Sequence, residues 1–259
     1  MRKEKLNKTI ELAKSAGKIL IENFRKINQN EIYFKNPKDI VTEIDKKTEN
    51  FIVSEIARAY PEDNIIAEED SVRLNHIDSN LWIIDPLDGT TNYLHGIPYF
   101  AVSIAYYENN EPEIGVVYIP ALDETFYAQK NQGAYLNGEK ISVSSTNKLI
   151  NSLAVTGFAC IRADKPDNNL ENFNRIAPKL REIRRFGAAA ADGCYVACGR
   201  FDFFWEKYLR KWDIAASTLI VREAGGKVTD FSGKENNLDG KNIIMSNSVL
   251  HNELLTLIK

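Results

Sequence analysis

The sequence predicts a layered α/β sandwich containing much antiparallel sheet. Three observations point to it: apolar residues at helical spacing near both chain ends, consecutive apolar runs separated by turn signals between residues 81 and 136, and strand patterns alternating with helix patterns beyond residue 141. We read two halves, 1–140 and 141–259, forming one cooperative unit.

Leu6, Ile10, Ala13, Gly17, Leu20 and Phe24 recur at three and four residues and predict a helix over 5–24. A short strand is expected at 31–34, ahead of a turn at Asn36-Pro37. A second helix over 43–59 ends before Pro61, because the residue preceding proline avoids helical geometry. Residues 64–67 read as a strand delivering Glu68, and the apolar run 81–84 as a buried strand stopped by Asp85-Pro86. The runs 100–107 and 114–119 flank Asn109-Asn110 and predict an antiparallel pair. Strands at 124–128 and 133–136 follow, and Asn137-Gly138 is the strongest hairpin signal in the chain. Beyond 141 we expect strands at 153–156, 201–206, 227–230 and 242–245, and helices at 170–177, 188–198, 213–223 and 251–258. Gly225-Gly226 supplies a helix stop.

The 259 residues suit one or two domains, and 44% hydrophobic with 27% charged residues excludes a disordered or collagen-like chain. Thirty-three basic against 36 acidic residues give a formal charge of −3, which argues against a protein built to coat nucleic acid. Cys160, Cys194 and Cys198 have no paired spacing and read as buried packing residues, and His76, His95 and His251 are too scattered to complete a zinc site. Lys, Glu and Ser interrupt the apolar residues of the N-terminal segment, unlike a signal peptide, and no apolar run approaches a membrane span. A cytoplasmic protein is expected.

The sharpest segment is W-I-I-D-P-L-D-G-T-T-N, residues 82–92. A buried strand runs into Asp85, and Pro86 and Gly89 make a tight turn that can aim Asp85 and Asp88 at one point, beside the N–H groups of Gly89, Thr90 and Thr91. Two close carboxylates repel, and a hard divalent cation is the natural means of keeping both ionised. Successive N–H groups beside such ions make a phosphate cradle. The alternative is an Asx-Pro turn with Thr90 or Thr91 as a helix cap. Glu68-Glu69-Asp70 is either a solvated loop or a ligand source. Asp213 is either a helix cap or a carboxylate offered to a metal, and Asp45 is a first-turn helix residue.

D-P-L-D-G-T-T-N at 85–92, W-D-I-A-A at 212–216 and E-A-G-G at 223–226 together resemble the inositol monophosphatase family, lithium-sensitive and magnesium-dependent phosphomonoesterases related to fructose-1,6-bisphosphatase. I-V-T-E-I-D at 40–45, A-E-E at 67–69, G-A-Y-L-N-G at 133–138 and F-G-A-A-A at 186–190 follow in family order, so the likeness covers nearly the whole chain. It implies the sugar-phosphatase fold, alternating α-β-α-β-α layers with a mostly antiparallel first sheet, and a cytoplasmic homodimer. It also implies two or three Mg²⁺ ions: one on Glu68, Asp85 and the Leu87 carbonyl, a second on Asp85, Asp88 and Asp213, and a weaker third reached from Glu68 through water. Gly89, Thr90 and Thr91 correspond to the phosphate-binding residues, Ala189 and Glu206 to positions that contact polyol hydroxyls, and Asp45 to a supporting partner of Thr90.

The implied mechanism is direct hydrolysis of a small-molecule phosphomonoester. Thr90 and Glu68 orient the attacking water, and a water near Asp88 and Asp213 protonates the leaving oxygen. A carboxylate at Glu206 suits neutral hydroxyls better than a second phosphate and favours myo-inositol monophosphate. Arg162, Arg184, Arg185, Lys207, Arg210 and Lys211 form either a solvated basic face or a seat for the second phosphate of a bisphosphate. An RNA- or protein-binding factor on the same fold is the alternative of another class. The apolar residues between 93 and 107 are either a dimer seam or core strand.

Overall fold

The computed structural model describes residues 2–26, 32–36, 39–69, 72–74, 80–235, 238 and 241–259, which build alternating layers of helix and sheet in the order α-β-α-β-α. The first layer is α1 (Arg2–Asn23) against α2 (Glu43–Ala59). α1 turns Leu6, Thr9, Ala13, Ala16, Gly17 and Leu20 inward at helical spacing. α2 starts in a capping box in which Asp45 accepts from the Thr42 N–H at 2.9 Å, and the Thr42 hydroxyl accepts in turn from the Asp45 N–H. Between these helices, β1 (Ile32–Asn36) and β2 (Asp39–Thr42) form an antiparallel ribbon; only the first was expected, and the Pro37 turn lies outside the described residues.

The first sheet contains β3 (Asn64–Ala67), β4 (Val72–Arg73), β5 (Leu81–Asp88), β6 (Ala101–Glu108), β7 (Glu111–Ile119), β8 (Glu124–Gln129), β9 (Ala134–Leu136) and β10 (Glu139–Ile141), in the order β10-β9-β8-β7-β6-β5-β3-β4. Only the β3–β5 pair is parallel. Asn109-Asn110 and Asn137-Gly138 both take positive φ, the conformation that two-residue hairpins need to follow the strand twist. One face, with Trp82, Ile84, Val102 and Ile104, buries against Leu20, Ile52 and Ile56 of α1 and α2. The other, with Ile83, Ala101, Ala105 and Val117, meets the central helices.

α3 (Thr90–Leu94) follows β5; α4 (Ala159–Arg162) and α5 (Leu170–Ile176) precede the central pair, α6 (Ala189–Ala197) and α7 (Lys211–Glu223). α7 lies close to β7: a Cβ on Gly115 would stand 2.6 Å from the Ala216 carbonyl oxygen. The second sheet has the order β12 (Glu182–Arg184), β11 (Leu153–Thr156), β13 (Phe203–Lys207), β15 (Asn242–Ser246), β14 (Lys227–Thr229), with β11 parallel to both neighbours. Val155, Phe204, Val228 and Met245 pack on the central helices, while Ala154, Phe203, Trp205 and Ile244 pack on α5 and the segment of α8 (His251–Leu257) through Ile176, Leu250 and Leu254.

Several expectations need correction. Of the two readings of 93–107, core strand holds for Phe100 to Tyr107, which are buried in β6 between β5 and β7, while Ile97 is the strongly exposed large aliphatic residue of that stretch. The basic run is not one solvated face. Arg184, Arg210 and Lys211 are exposed, but Lys207 is buried and paired with Asp167. Cys160 and Cys194 are buried as expected, whereas Cys198 is half-buried. His251 is fully buried between Thr229 and Ser246, and burial pushes its pKa down to about 4. His76 lies outside the described residues. Among the described residues, no helix is long and apolar enough to cross a membrane.

Candidate active site

The site begins with an irregularity in β5. Asp85 pairs with Ser103 and Asp88 with Ala101, so three steps along β5 match two along β6. That is a bulge, and it falls where Pro86 has no N–H to give the ladder. On a regular strand, residues three apart point to opposite faces. The extra residue restores the phase, so that both aspartates stand opposite the β6 positions that face the central helices. β3 runs parallel to β5 with Ala67 beside Ile84, so Glu68 leaves the sheet next to Asp85, and the two carboxyl groups are hydrogen-bonded.

Asp85 is almost fully buried and its Oδ1 accepts from the Leu87 N–H at 3.0 Å. Asp88 caps the start of α6: Oδ1 accepts from Ala189 N–H at 3.0 Å, and Oδ2 from Ala190 at 2.8 Å and Ala191 at 3.4 Å. The lone pairs left on those oxygens remain available to another partner. Asp213 sits in the first turn of α7, its Oδ2 accepting from the Arg210 N–H at 2.6 Å. Asp45 lies behind the turn, where Thr90 Oγ1 is 3.2 Å from its Oδ1 and 3.1 Å from the Leu87 carbonyl.

These acids are short of positive charge. Burial, then the charges of Glu68, Asp88 and Asp213, hold Asp85 well above the usual carboxylate range. Burial likewise pushes Asp88 and Asp213 up to about 7, against the opposing pull of the α6 amides and the Arg210 N–H respectively. Asp45 rises to about 6 through burial, opposed by its bonds from Thr42 and Thr90. Among the described residues, no group of three or more His, Cys, Asp or Glu side chains is spaced to hold an ion as it stands. The donor set nevertheless fits a hard divalent cation: it is all oxygen, and its buried acids repel one another.

One cavity of about 90 Å³ is lined by Glu68, Asp85, Leu87, Asp88, Gly89, Thr90, Thr91, Ala189, Glu206 and Asp213, so every expected site residue except Asp45 meets there. Ala189 commits its N–H to Asp88, and as the first residue of α6 its carbonyl points into the helix ladder, which leaves its methyl group to face a ligand. Glu206, buried in β13, accepts from the Ala159 N–H at 2.8 Å, and burial lifts it to about 7 against the charges of Arg185 and Arg162. Gly157 makes room for it, since a Cβ there would stand 2.2 Å from Glu206 Oε2.

The cavity also contains Arg162 and Arg185, both exposed at its mouth, and buried Asp192, whose carboxylate accepts from the Tyr99 hydroxyl at 2.9 Å. Asp192 escaped the sequence reasoning, although a lone acid inside the Ala-rich run 188–197 was a usable signal. Of the acidic triplet at 68–70, Glu68 enters the cavity, the Glu69 N–H donates to Glu49 at 2.8 Å, and Asp70 lies outside the described residues.

The family model described as the inositol monophosphatase family matches residues 2–259. A Thermotoga maritima protein named fructose-1,6-bisphosphatase/inositol-1-monophosphatase is 42% identical, the match covering 98% of this chain and 96% of that one. The Nus factor SuhB of Pseudomonas aeruginosa is 40% identical over 98% of this chain and 95% of its own. Among solved structures, the extragenic suppressor protein suhB from Bartonella henselae superposes with a TM-score of 0.92 at 38% identity, covering 98% of this chain and 97% of that one.

Proposed function

The chain belongs to the inositol monophosphatase family of magnesium-dependent phosphomonoesterases, and from that membership we propose that it hydrolyses myo-inositol monophosphate to inositol and phosphate. The observation that carries the substrate choice is Glu206: a buried carboxylate on the wall of the acidic cavity accepts hydroxyl donors and repels a second phosphate.

In this proposal Glu68, Asp85 and the Leu87 carbonyl would hold one Mg²⁺, Asp85, Asp88 and Asp213 would hold a second, and Glu68 would reach a third through water. Bound there, Mg²⁺ would supply acidification of water and positive charge for the entering and leaving oxygens. The protein supplies the rest. Thr90 gives its single hydroxyl proton to Asp45 or to the Leu87 carbonyl, leaving its oxygen lone pairs to accept from the attacking water, which Glu68 also orients. Gly89, Thr90 and Thr91 receive the phosphate with their N–H groups at the start of α3, where a helix leaves its first amides unbonded. Asp88 and Asp213 position the water that protonates the departing oxygen. Ala189 and Glu206 contact the polyol. Lithium sensitivity, a homodimer, a cytoplasmic setting and the absence of a nucleic-acid partner belong to the same proposal and rest on the family and on the formal charge of −3.

Arg162 and Arg185 at the cavity mouth favour a second reading, a fructose-1,6-bisphosphatase or a dual-specificity sugar phosphatase, because two exposed guanidinium groups suit a distal phosphate. A partner-binding role, of the kind the name Nus factor carries for the Pseudomonas relative, is the reading of another class. The test is Mg²⁺-dependent phosphate release from inositol 1-phosphate, fructose 1,6-bisphosphate, adenosine 3′,5′-bisphosphate and histidinol phosphate. Inositol 1-phosphate is expected to rank first. Fructose 1,6-bisphosphate ranking well above it would transfer the assignment to the bisphosphatase, and no release from any of the four would leave the partner-binding role.

A further inference from the structure

A second cavity, of about 440 Å³, opens at the start of β5, whereas the acidic cluster lies at that strand's end, and the two cavities share no lining residue. Leu81, Ile83 and Tyr107 from the first sheet make an apolar wall. Facing them, Lys211, Thr218 and Arg222 follow one another at seven and four residues, along one stripe of α7.

Among the described residues, two polar groups of this cavity's lining residues find no partner: Thr218 is 1% exposed and its hydroxyl makes no hydrogen bond, and Nη2 of Arg222 is buried and makes none either. A buried donor without an acceptor is costly to a fold, and the two residues that carry these donors line the same space. The two cations of the lining, Lys211 and Arg222, both stand on α7, whereas its two carboxylates come from other elements: Glu111, engaged by Lys130 at 3.5 Å, and the exposed Glu235. The volume is that of a small-molecule site.

We propose that this cavity binds a small organic anion, an apolar body bearing one carboxylate. The carboxylate accepts from the Arg222 guanidinium and the Thr218 hydroxyl, with Lys211 adding charge, and the body packs on Leu81, Ile83 and Tyr107. The guanidinium fork matches a carboxylate better than any other side chain does. A neutral ligand would leave the charge of the guanidinium unmatched.

The probe is 3-phenylpropionate, titrated calorimetrically into the protein with Mg²⁺ and saturating inorganic phosphate, so that the acidic cavity is occupied. The wild type is expected to bind it, 3-phenylpropan-1-ol to bind at least about tenfold more weakly, and R222M to weaken 3-phenylpropionate by at least about tenfold. T218V, which keeps the shape and removes the hydroxyl, is expected to weaken it by about threefold or more, and it decides the matter should R222M fail to show a wild-type melting transition. No binding by the wild type, displacement by phosphate, or unchanged affinity in T218V and a folded R222M would each overturn the proposal.

Discussion

Asp85 and Asp88 face the same cavity from positions three apart on one strand, because the bulge at Pro86 shifts the side-chain alternation by one residue. The pair is therefore set by the backbone, and either carboxyl can be replaced by its amide without moving the other. Asp85→Asn is expected to lower kcat/KM by at least about 10³, since Asp85 is assigned to both Mg²⁺ ions. Its melting midpoint without metal should equal or exceed that of the wild type, because a repelling carboxylate has been removed. Activity above about a tenth of wild type would remove Asp85 from the metal assignment.

The pH dependence of stability should invert with Mg²⁺. Asp88, Asp213 and Glu206 have folded-state pKa values of about 7, against unfolded values near 4, so each binds its proton more tightly when folded. Their contribution is complete below about pH 4 and is lost as pH rises through 7. In EDTA the melting midpoint is expected to fall between pH 5 and 8. With saturating Mg²⁺, which binds the ionised forms, it should hold or rise over the same interval. Identical curves with and without Mg²⁺ would count against the acidic cluster as a metal site.

Gly157→Ala separates phosphate chemistry from polyol recognition. The added methyl would displace Glu206, whose Oε2 it would meet at 2.2 Å, while the β5 turn is untouched. KM for inositol 1-phosphate is expected to rise about tenfold. Turnover of a substrate lacking the polyol, such as 4-nitrophenyl phosphate, should change little. Equal losses on both substrates would show that Glu206 is not a polyol contact.

Lys5 tests stability away from the site. Its ammonium lies 3.6 Å from the Tyr106 ring centre, 4.2 Å from that of Tyr60 and 3.6 Å from Asp63 Oδ2, pinning the start of α1 to the first sheet. Lys5→Met keeps the stem and removes the charge, and should cost about 1–3 kcal/mol in denaturant unfolding with unchanged kcat/KM. A loss below about 0.5 kcal/mol would make the aromatic contact incidental.

The elements legible in the sequence were those whose pattern and punctuation agree. α1, α2 and α7 announce a buried stripe, β5 to β7 are apolar runs with turn residues between them, and the Asn-Gly hairpin falls where its positive φ is needed. Of the short edge strands only β14 was legible: β4, β10 and β12 span two or three residues and owe their existence to a neighbour's ladder. The D-P-L-D segment announced two acids near one point but not the bulge, because phase is a property of the pairing with β6 and not of β5 alone. The dispersed acids Glu68, Asp213 and Glu206 gained meaning chiefly from family resemblance. Arg162 and Arg185 could not be told from Arg184 by charge alone; only the folded chain brings the first two to the cavity.

The contact between Gly115 and α7 sets a tolerance for the chemistry. Where a methyl group at β7 would collide with the Ala216 carbonyl, the helix bearing Asp213 rests almost backbone to backbone on the sheet bearing Asp85 and Asp88. The spacing of opposing acids is thus gauged by an amino acid that touches neither phosphate nor metal. Side-chain bulk introduced at that seam would work like a shim, detuning turnover from a distance while every acid stayed in place along the chain.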